Sequence, residues 1–225
     1  MPEILYEDNH ILIVNKQPGE IVQGDKTGDK PLVDSLKDFI KKRDNKPGNV
    51  FLGVVHRLDR PVGGAVIFAK TSKALSRLND MIRKGEIHKT YWALTRNRPP
   101  QESDTLTHYI TTTEATNKSY ASLKPKNGAK EAVLKYRLLA CGRTFNLVEV
   151  ELITGRKHQI RVQMSAIGCP IRGDLKYGDK RSNDDGSISL LARRIDFVHP
   201  VSKQPVSVTA PIPHDNVWRQ IASQI

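Results

Sequence analysis

Cysteine is scarce in this sequence: Cys141 and Cys169 are the only two among 225 residues, and neither belongs to a CxxC pair or a Cys/His spacing. That excludes a disulfide framework and gives no zinc framework, and both thiols read as core or near-core residues of a reducing compartment. Long apolar runs are absent too, since nothing approaches the roughly 20 residues that span a bilayer. The start, Met1-Pro2-Glu3, shows no basic segment followed by an apolar one, so no signal peptide and no membrane partner are expected, and the location is expected to be cytoplasmic. Acid is in deficit: 36 Lys and Arg stand against 24 Asp and Glu, a net charge of +12. A basic field on a folded surface recruits polyanions, which makes nucleic acid the leading partner, with charge serving mere solubility as the plain alternative. With 38% hydrophobic and 27% charged residues the chain has the balance of a globular protein. A chain of this size buries about 70% of its unfolded surface without staples.

Apolar periodicity sets the expected elements. Ile4 to Tyr6 and Ile11 to Val14 read as strands around the turn formers Glu7-Asp8-Asn9. Pro31 opens a helix with Leu32, Val33, Leu36, Phe39 and Ile40 at helical spacing. Val50 to Leu58 and Gly64 to Lys70 read as buried strands, and Ser72 caps a helix that runs to about Lys84 and stops at Gly85. His88 to Thr95 is a strand, and the polar stretch 96–130 predicts hairpins or a long insertion. Glu131 to Ala140 and Thr144 to Ile153 are strands joined as a hairpin, and a helix is expected from Gly155 to Gly168. A strand over Ser187 to Phe197 and a short amphipathic helix near Val217 and Ile221 close the chain. No repeat or linker divides it, so residues 1–225 are expected to form a single domain, or two lobes of one, of the α+β class with an antiparallel sheet and flanking helices.

Three segments could carry chemistry. In His56-Arg57-Leu58-Asp59-Arg60-Pro61-Val62-Gly63-Gly64, Asp59 lies between two arginines whose charge favours its ionised form. A carboxylate on a strand-end loop shaped by Pro61 is a candidate nucleophile or base; a surface aspartate neutralised by Arg57 or Arg60 is the plain alternative. At Thr154-Gly155-Arg156-Lys157-His158-Gln159-Ile160-Arg161, cations gather at an expected helix start, where the dipole disfavours them unless an anion is near, and phosphate fits. Arg161 could instead face inward and pair with a carboxylate, while a solvated basic face is the bland reading. On Lys89-Thr90-Tyr91-Trp92-Ala93-Leu94, alternation separates Tyr91 from Trp92, leaving one aromatic for the core and the other for a cleft.

Read jointly, these segments resemble the RluA family of RNA pseudouridine synthases. The resemblance rests on HRLDRPVGGAVIFAKT at 56–71, KTYWAL at 89–94, GRKHQIRVQMSAIGCPIRGDLKYG at 155–178, YEDNHILIVNKQPG at 6–19 and LLARRIDFVHP at 190–200, in the family's order. It implies an isomerase that turns a uridine of structured RNA, ribosomal or transfer, into pseudouridine with no cofactor and no metal. It further implies a mixed, mainly antiparallel sheet in two halves around a central catalytic cleft. Asp59 matches the family's catalytic aspartate, acting as nucleophile at C1′ or as base at C2′. Tyr91 matches the tyrosine that packs on the flipped base, and Arg161 the basic residue that pairs with the aspartate. Physically, a base must leave its stack to be reached, so the pocket needs an aromatic wall and a basic rim. Arg57, Arg60, Arg156 and Lys157, with Lys16 a weaker candidate, would form that rim. His56 and Leu58 of the loop and His158 join them as substrate-binding candidates.

The sequence departs from the family in three places. Pro61-Val62-Gly63 replaces a Thr-Ser-Gly run, Lys16-Gln17-Pro18-Gly19 replaces Lys-Pro-x-Gly, and Arg193 stands for a common His and could add a phosphate contact. The resemblance begins at residue 6 with no S4-like module before it, so target choice is expected from 96–130. An RNA-binding module without catalysis is disfavoured by the joint presence of Asp59, Tyr91 and Arg161. A nucleosidase leaves the charge unexplained and lacks an obvious second carboxylate. A monomer is the default expectation.

Overall fold

A computed structural model describes all residues, 1–225. In chain order the elements are β1 (Glu3–Glu7), β2 (Ile11–Lys16), α1 (Leu32–Arg43), β3 (Gly53–Val54), β4 (Gly63–Ala69), α2 (Ser72–Lys84), β5 (Ile87–Thr95), β6 (Ser103–Thr113), β7 (Lys118–Ser122), β8 (Lys130–Cys141), β9 (Asn146–Leu152), α3 (Gln159–Ala166), a 3₁₀ turn (Leu175–Tyr177), β10 (Leu190–Val198), β11 (Pro205–Thr209) and α4 (Asn216–Ala222). The fold is α+β, as the sequence predicts. The chain divides into two compact units, one of residues 1–88 and 192–211, the other of 89–191 and 212–225. No helix is long and apolar enough to cross a membrane.

The first unit is built on β2 and β4, antiparallel in register from Ile11↔Ala69 to Lys16↔Gly64. Both are apolar at nearly every position, the pattern of strands covered on both faces. Ile11, Ile13, Ala65 and Ile67 share one core cluster with Ala74, Leu78 and Met81 of α2, Ile195 and Phe197 of β10, and Val206 and Val208 of β11. Each large side chain buried there contributes about 1.5–3 kcal/mol. The strand order is β1-β2-β4-β10, with β3 on β4 and β11 on β10. The helix cap falls one residue before Ser72: Thr71 is extended, and its hydroxyl accepts the Ala74 N–H at 3.1 Å. Gly85, in the left-handed region, ends α2 as expected.

The expected long strand over 50–58 is corrected, because only Gly53 and Val54 pair with β4. Beyond them the ladder is replaced by a side chain, as the Ile67 N–H donates to His56 Nε2 at 3.2 Å instead of to a strand carbonyl. That frees 55–62 to form the loop that bears Asp59.

The second unit orders its strands β5-β9-β8-β6-β7, all antiparallel. The polar stretch 96–130 thus resolves into two strands of a hairpin at the sheet's edge. Ile110, Ala132, Val162 of α3 and Tyr177 form one small core, and Leu94, Leu147, Leu191 and, from α4, Trp218 and Ile221 form another. The Gln163 side-chain amide reaches the carbonyls of Leu106 and Ala132, both at 3.1 Å, and so fastens α3 to β6 and β8. Of the two thiols, Cys169 is buried as expected and burial raises its pKa, whereas Cys141 is exposed. Cys141 ends β8 as an outward residue, a place that apolar character alone does not reveal.

Candidate active site

In the first unit, the loop between β3 and β4 is held from beneath by Lys16. Its side chain is wholly buried, and Nζ donates to the carbonyls of Gln17 at 3.0 Å, Arg60 at 3.1 Å and Val62 at 2.7 Å. The Gly19 N–H donates to the same Arg60 carbonyl at 2.8 Å, and the Val62 N–H closes a turn on the Asp59 carbonyl at 3.0 Å. Burial draws the Lys16 pKa down to about 8, against the upward pull of the Glu20 and Asp59 carboxylates. Lys16 is therefore no part of a solvent-facing rim: a lysine sealed under three carbonyls cannot reach a phosphate. Gly64 follows at φ +115, where an added Cβ would lie 2.4–2.8 Å from the backbone of Ala192 in β10. Only glycine fits that close approach.

On this scaffold Asp59 is half-buried, Leu58 is buried, and Arg57 and Arg60 are exposed. Arg60 does not serve as the loop's free cation, since its guanidinium pairs with Asp29 and with the Thr27 hydroxyl, the latter at 2.9 Å. His56 accepts a backbone N–H on Nε2, which leaves Nδ1 as the protonated nitrogen of a neutral ring. Arg193, on β10, is partly buried and donates to the Ala210 carbonyl, with its pKa lowered by desolvation, so it points to structure rather than to a phosphate.

In the second unit, Tyr91 sits on β5 opposite Val150 and is buried, while its neighbour Trp92 is half-buried and sends its indole N–H towards Glu149 at 3.4 Å. Arg161 projects from α3 into a buried ion pair. Its Nε meets Asp174 Oδ2 at 2.7 Å and its Nη2 meets Oδ1 at 2.9 Å, with both side chains almost fully enclosed. The fork geometry matches the planar guanidinium to the carboxylate. The ring of Tyr177 lies 5.0 Å from the same guanidinium. The inward alternative for Arg161 is the one observed within this unit, with a carboxylate 13 residues further along the chain.

The helix start differs from expectation. His158 adopts a left-handed conformation, φ 55, which no α-helix continues, so α3 begins at Gln159 and, of the expected cluster of cations, only Arg161 lies in its first turn. The Gln159 side chain seals the preceding turn by accepting from the Arg156 N–H and the Thr154 hydroxyl, both at 2.9 Å. Arg156 and Lys157 are thus exposed turn residues, and Arg156 Nε donates to the Glu131 carbonyl at 2.8 Å. His158 is buried with Nδ1 at 2.7 Å from the Tyr177 hydroxyl, which also accepts the Ser119 N–H at 2.8 Å. Burial raises the Tyr177 pKa, so the phenol stays neutral.

The structure thus brings Arg161 and His158 together around Asp174 and Tyr177, two residues whose GDLKYG segment was visible in the sequence but whose roles were not. A buried arginine held by a carboxylate and a ring keeps one orientation, and in the first unit the backbone of the Asp59 loop is pinned by Lys16. Such a fixed charge suits chemistry in which charge develops at a defined atom.

Comparisons with known proteins identify the family. The family described as RNA pseudouridylate synthase matches residues 10–166. The ribosomal large subunit pseudouridine synthase C of Buchnera aphidicola subsp. Baizongia pistaciae (strain Bp) is 32% identical over 230 residues, spanning 99% of this chain and 70% of that protein. The tRNA pseudouridine synthase C of Pectobacterium carotovorum subsp. carotovorum is 32% identical over 242 residues, covering 100% of this chain, which in turn spans only 62% of that relative. Among solved structures, human RNA pseudouridylate synthase domain containing 4 superposes with a TM-score of 0.77 at 24% identity, over 94% of this chain and 89% of that one, a likeness of fold.

Proposed function

This chain belongs to the RNA pseudouridylate synthase family, and from that membership we propose that it isomerises a specific uridine of ribosomal or transfer RNA with Asp59, Tyr91 and Arg161 as its working residues. In the proposed reaction the N1–C1′ bond of the target uridine breaks, the uracil turns, and C5 forms the new bond to C1′. C5 gives up its proton and N1 ends with one, so atoms balance without cofactor or metal. Asp59 acts at the ribose, at C1′ as nucleophile or at C2′ as base. Tyr91 packs on the extruded base and stands at its C5 side. Arg161 is the cation proposed to pair with the Asp59 carboxylate during the reaction. Its own position is secured by Asp174, which also keeps the guanidinium from following the substrate. Arg57, Arg156 and Lys157 are the exposed cations available to phosphates, and the protein works as a monomer in the cytoplasm.

The observation that carries the reading is the Lys16 anchor beneath the Asp59 loop: a buried ammonium spent on three main-chain carbonyls fixes the loop that bears the one carboxylate the chemistry needs. The test is a map of pseudouridines in total RNA from cells with the gene, without it, and with Asp59→Ala. Loss of the same one or few sites in both altered strains is expected. Sites that persist in the Asp59→Ala strain and vanish only in the deletion overturn the role of Asp59, and a map unchanged in both overturns the activity.

A further inference from the structure

Strand β7 is the last of its sheet, and one face of it is unlike the rest of the second unit's surface. Its register, Tyr109↔Ser122, Thr111↔Tyr120 and Thr113↔Lys118, puts these six residues on one face of the β6–β7 hairpin. The alternate residues turn the other way: Ser119 is buried, and Ala121 packs on the small core beneath α3. The outward face therefore offers hydroxyls from threonine and serine around two rings, Tyr109, which is half-buried, and Tyr120, which is 48% exposed. Leu123 just beyond it is 79% exposed. From residue 115 to residue 130 the sequence has Lys118, Lys124, Lys126 and Lys130 and no acid. Two more lysines are tied to the same edge, since Lys176 Nζ donates to the Asn117 carbonyl at 3.0 Å and the Ser119 hydroxyl donates to the Lys157 carbonyl at 2.9 Å.

Lysines on an edge strand have a protective use, which is to keep it from pairing with another chain. That explains the charge but not an exposed aromatic ring at the centre of the same edge. A ring flanked by cations, with hydroxyls beside it and acids only at its borders, Glu114 in the turn and Glu131 opposite Tyr109, has the composition of a site for unpaired nucleotides: the ring stacks a base, and the lysines follow the backbone. The Lys118 ammonium lies 5.8 Å from the Tyr120 ring and 5.7 Å from the Tyr177 ring, which also neighbours Arg161 and His158. One side chain, Tyr177, thus separates this edge from the arginine assigned to the reaction.

We propose that the outer face of the β6–β7 edge is a second RNA-binding site, in which Tyr120 stacks an unpaired base flanking the target uridine while Lys118, Lys124 and Lys126 hold its phosphates. The proposal rests on the reading of the chain as an RNA enzyme and adds to it where the RNA outside the reacting nucleotide is held.

The test measures equilibrium binding of a fluorescein-labelled 20-nucleotide single-stranded RNA of mixed sequence by anisotropy at several salt concentrations. Wild type is compared with Tyr120→Ala, Tyr120→Phe, Asp59→Ala and the combined Lys118→Ala, Lys124→Ala, Lys126→Ala chain. Far-UV circular dichroism and thermal melts establish that each is folded. Tyr120→Ala is expected to weaken binding about 5- to 50-fold and Tyr120→Phe to restore it, the behaviour of a stacked base. The triple variant is expected to lower the slope of log K against log salt by about 2, as loss of three single-strand phosphate contacts requires. A folded Tyr120→Ala chain that binds like wild type overturns the proposal, as does a triple variant that only self-associates and keeps its RNA affinity and salt slope. Asp59→Ala separates this from the catalytic reading, since it should bind the probe normally and make no pseudouridine. Product from that variant would overturn the role of Asp59 and leave the edge site standing.

Discussion

Lys16 shows how one residue couples ionisation, loop shape and stability. Its pKa is about 8 in the folded chain and 10.5 as an ordinary lysine. Between those values the unfolded chain holds the proton that the folded chain has released, so this group's contribution to stability rises with pH, by up to about 3 kcal/mol across the window. Catalysis should move the other way. A neutral amine has two hydrogens for three carbonyls, and the Asp59 loop slackens as the third is lost. The wild type is therefore expected to lose kcat/KM above pH 8 without losing stability. Lys16→Met should be less stable by about 2–5 kcal/mol at pH 7, because buried carbonyls lose their donor. Urea unfolding of both chains at pH 7 and pH 9.5 checks this: their difference must grow with pH, and a constant difference would show that Lys16 does not titrate there. At this scale the sequence was legible for charge and poor for burial. Asp59, Tyr91 and Arg161 stood out by type and motif, whereas Lys16 looked like another surface cation because nothing in one sequence says that a lysine is sealed under carbonyls. Asp174 and Tyr177 gained their roles only when a turn folded them onto Arg161.

Among elements, legibility followed the strength of the apolar pattern. Strands β2 and β4 and helix α2 were readable because a run of β-branched residues or a clear helical stripe admits one structure. The start of α3 was not, since the αL residue His158 and the Gln159 seal leave no period to count. Strand 50–58 failed for a similar reason, as a histidine side chain took over a ladder bond. The 3₁₀ turn and β11 were too short to show. The same β4 yields a sharp prediction. Gly64→Ala would drive a methyl group to within 3 Å of the Ala192 backbone at a φ that alanine avoids. Strands β4 and β10 would have to part, at a cost on the order of 3 kcal/mol or more. Denaturant melts should show a large fall in midpoint for Gly64→Ala and almost none for Gly24→Ala, an exposed control with open space around it. Equal midpoints would mean that the two strands adjust freely.

Across the whole molecule, the chain's path matters more than any contact. The first unit is discontinuous: residues 1–88 supply β1 to β4, α1 and α2, and residues 192–211 return to supply most of β10 and all of β11. Ile195, Phe197, Val206 and Val208 belong to its core cluster, so a fragment ending at residue 88 keeps Ile11, Ile13, Ile67 and Leu78 but loses what covers them. Expressed alone, residues 1–88 are expected to lack cooperative thermal unfolding by circular dichroism; a sharp transition in that fragment would show that the returning strands are dispensable. The larger piece of the second unit, 89–191, is in sequence terms a long insertion between the pieces of the first, and its remainder, 212–225, follows them. During synthesis the Asp59 loop and its Lys16 anchor leave the ribosome early, yet β10, against which Gly64 is fitted, follows only after residues 89–191. At about 5–20 residues per second that interval lasts on the order of 5–20 s. For that time the apolar flank of β4 stands open, and the nascent chain is a natural client for chaperones that shield unpaired strands.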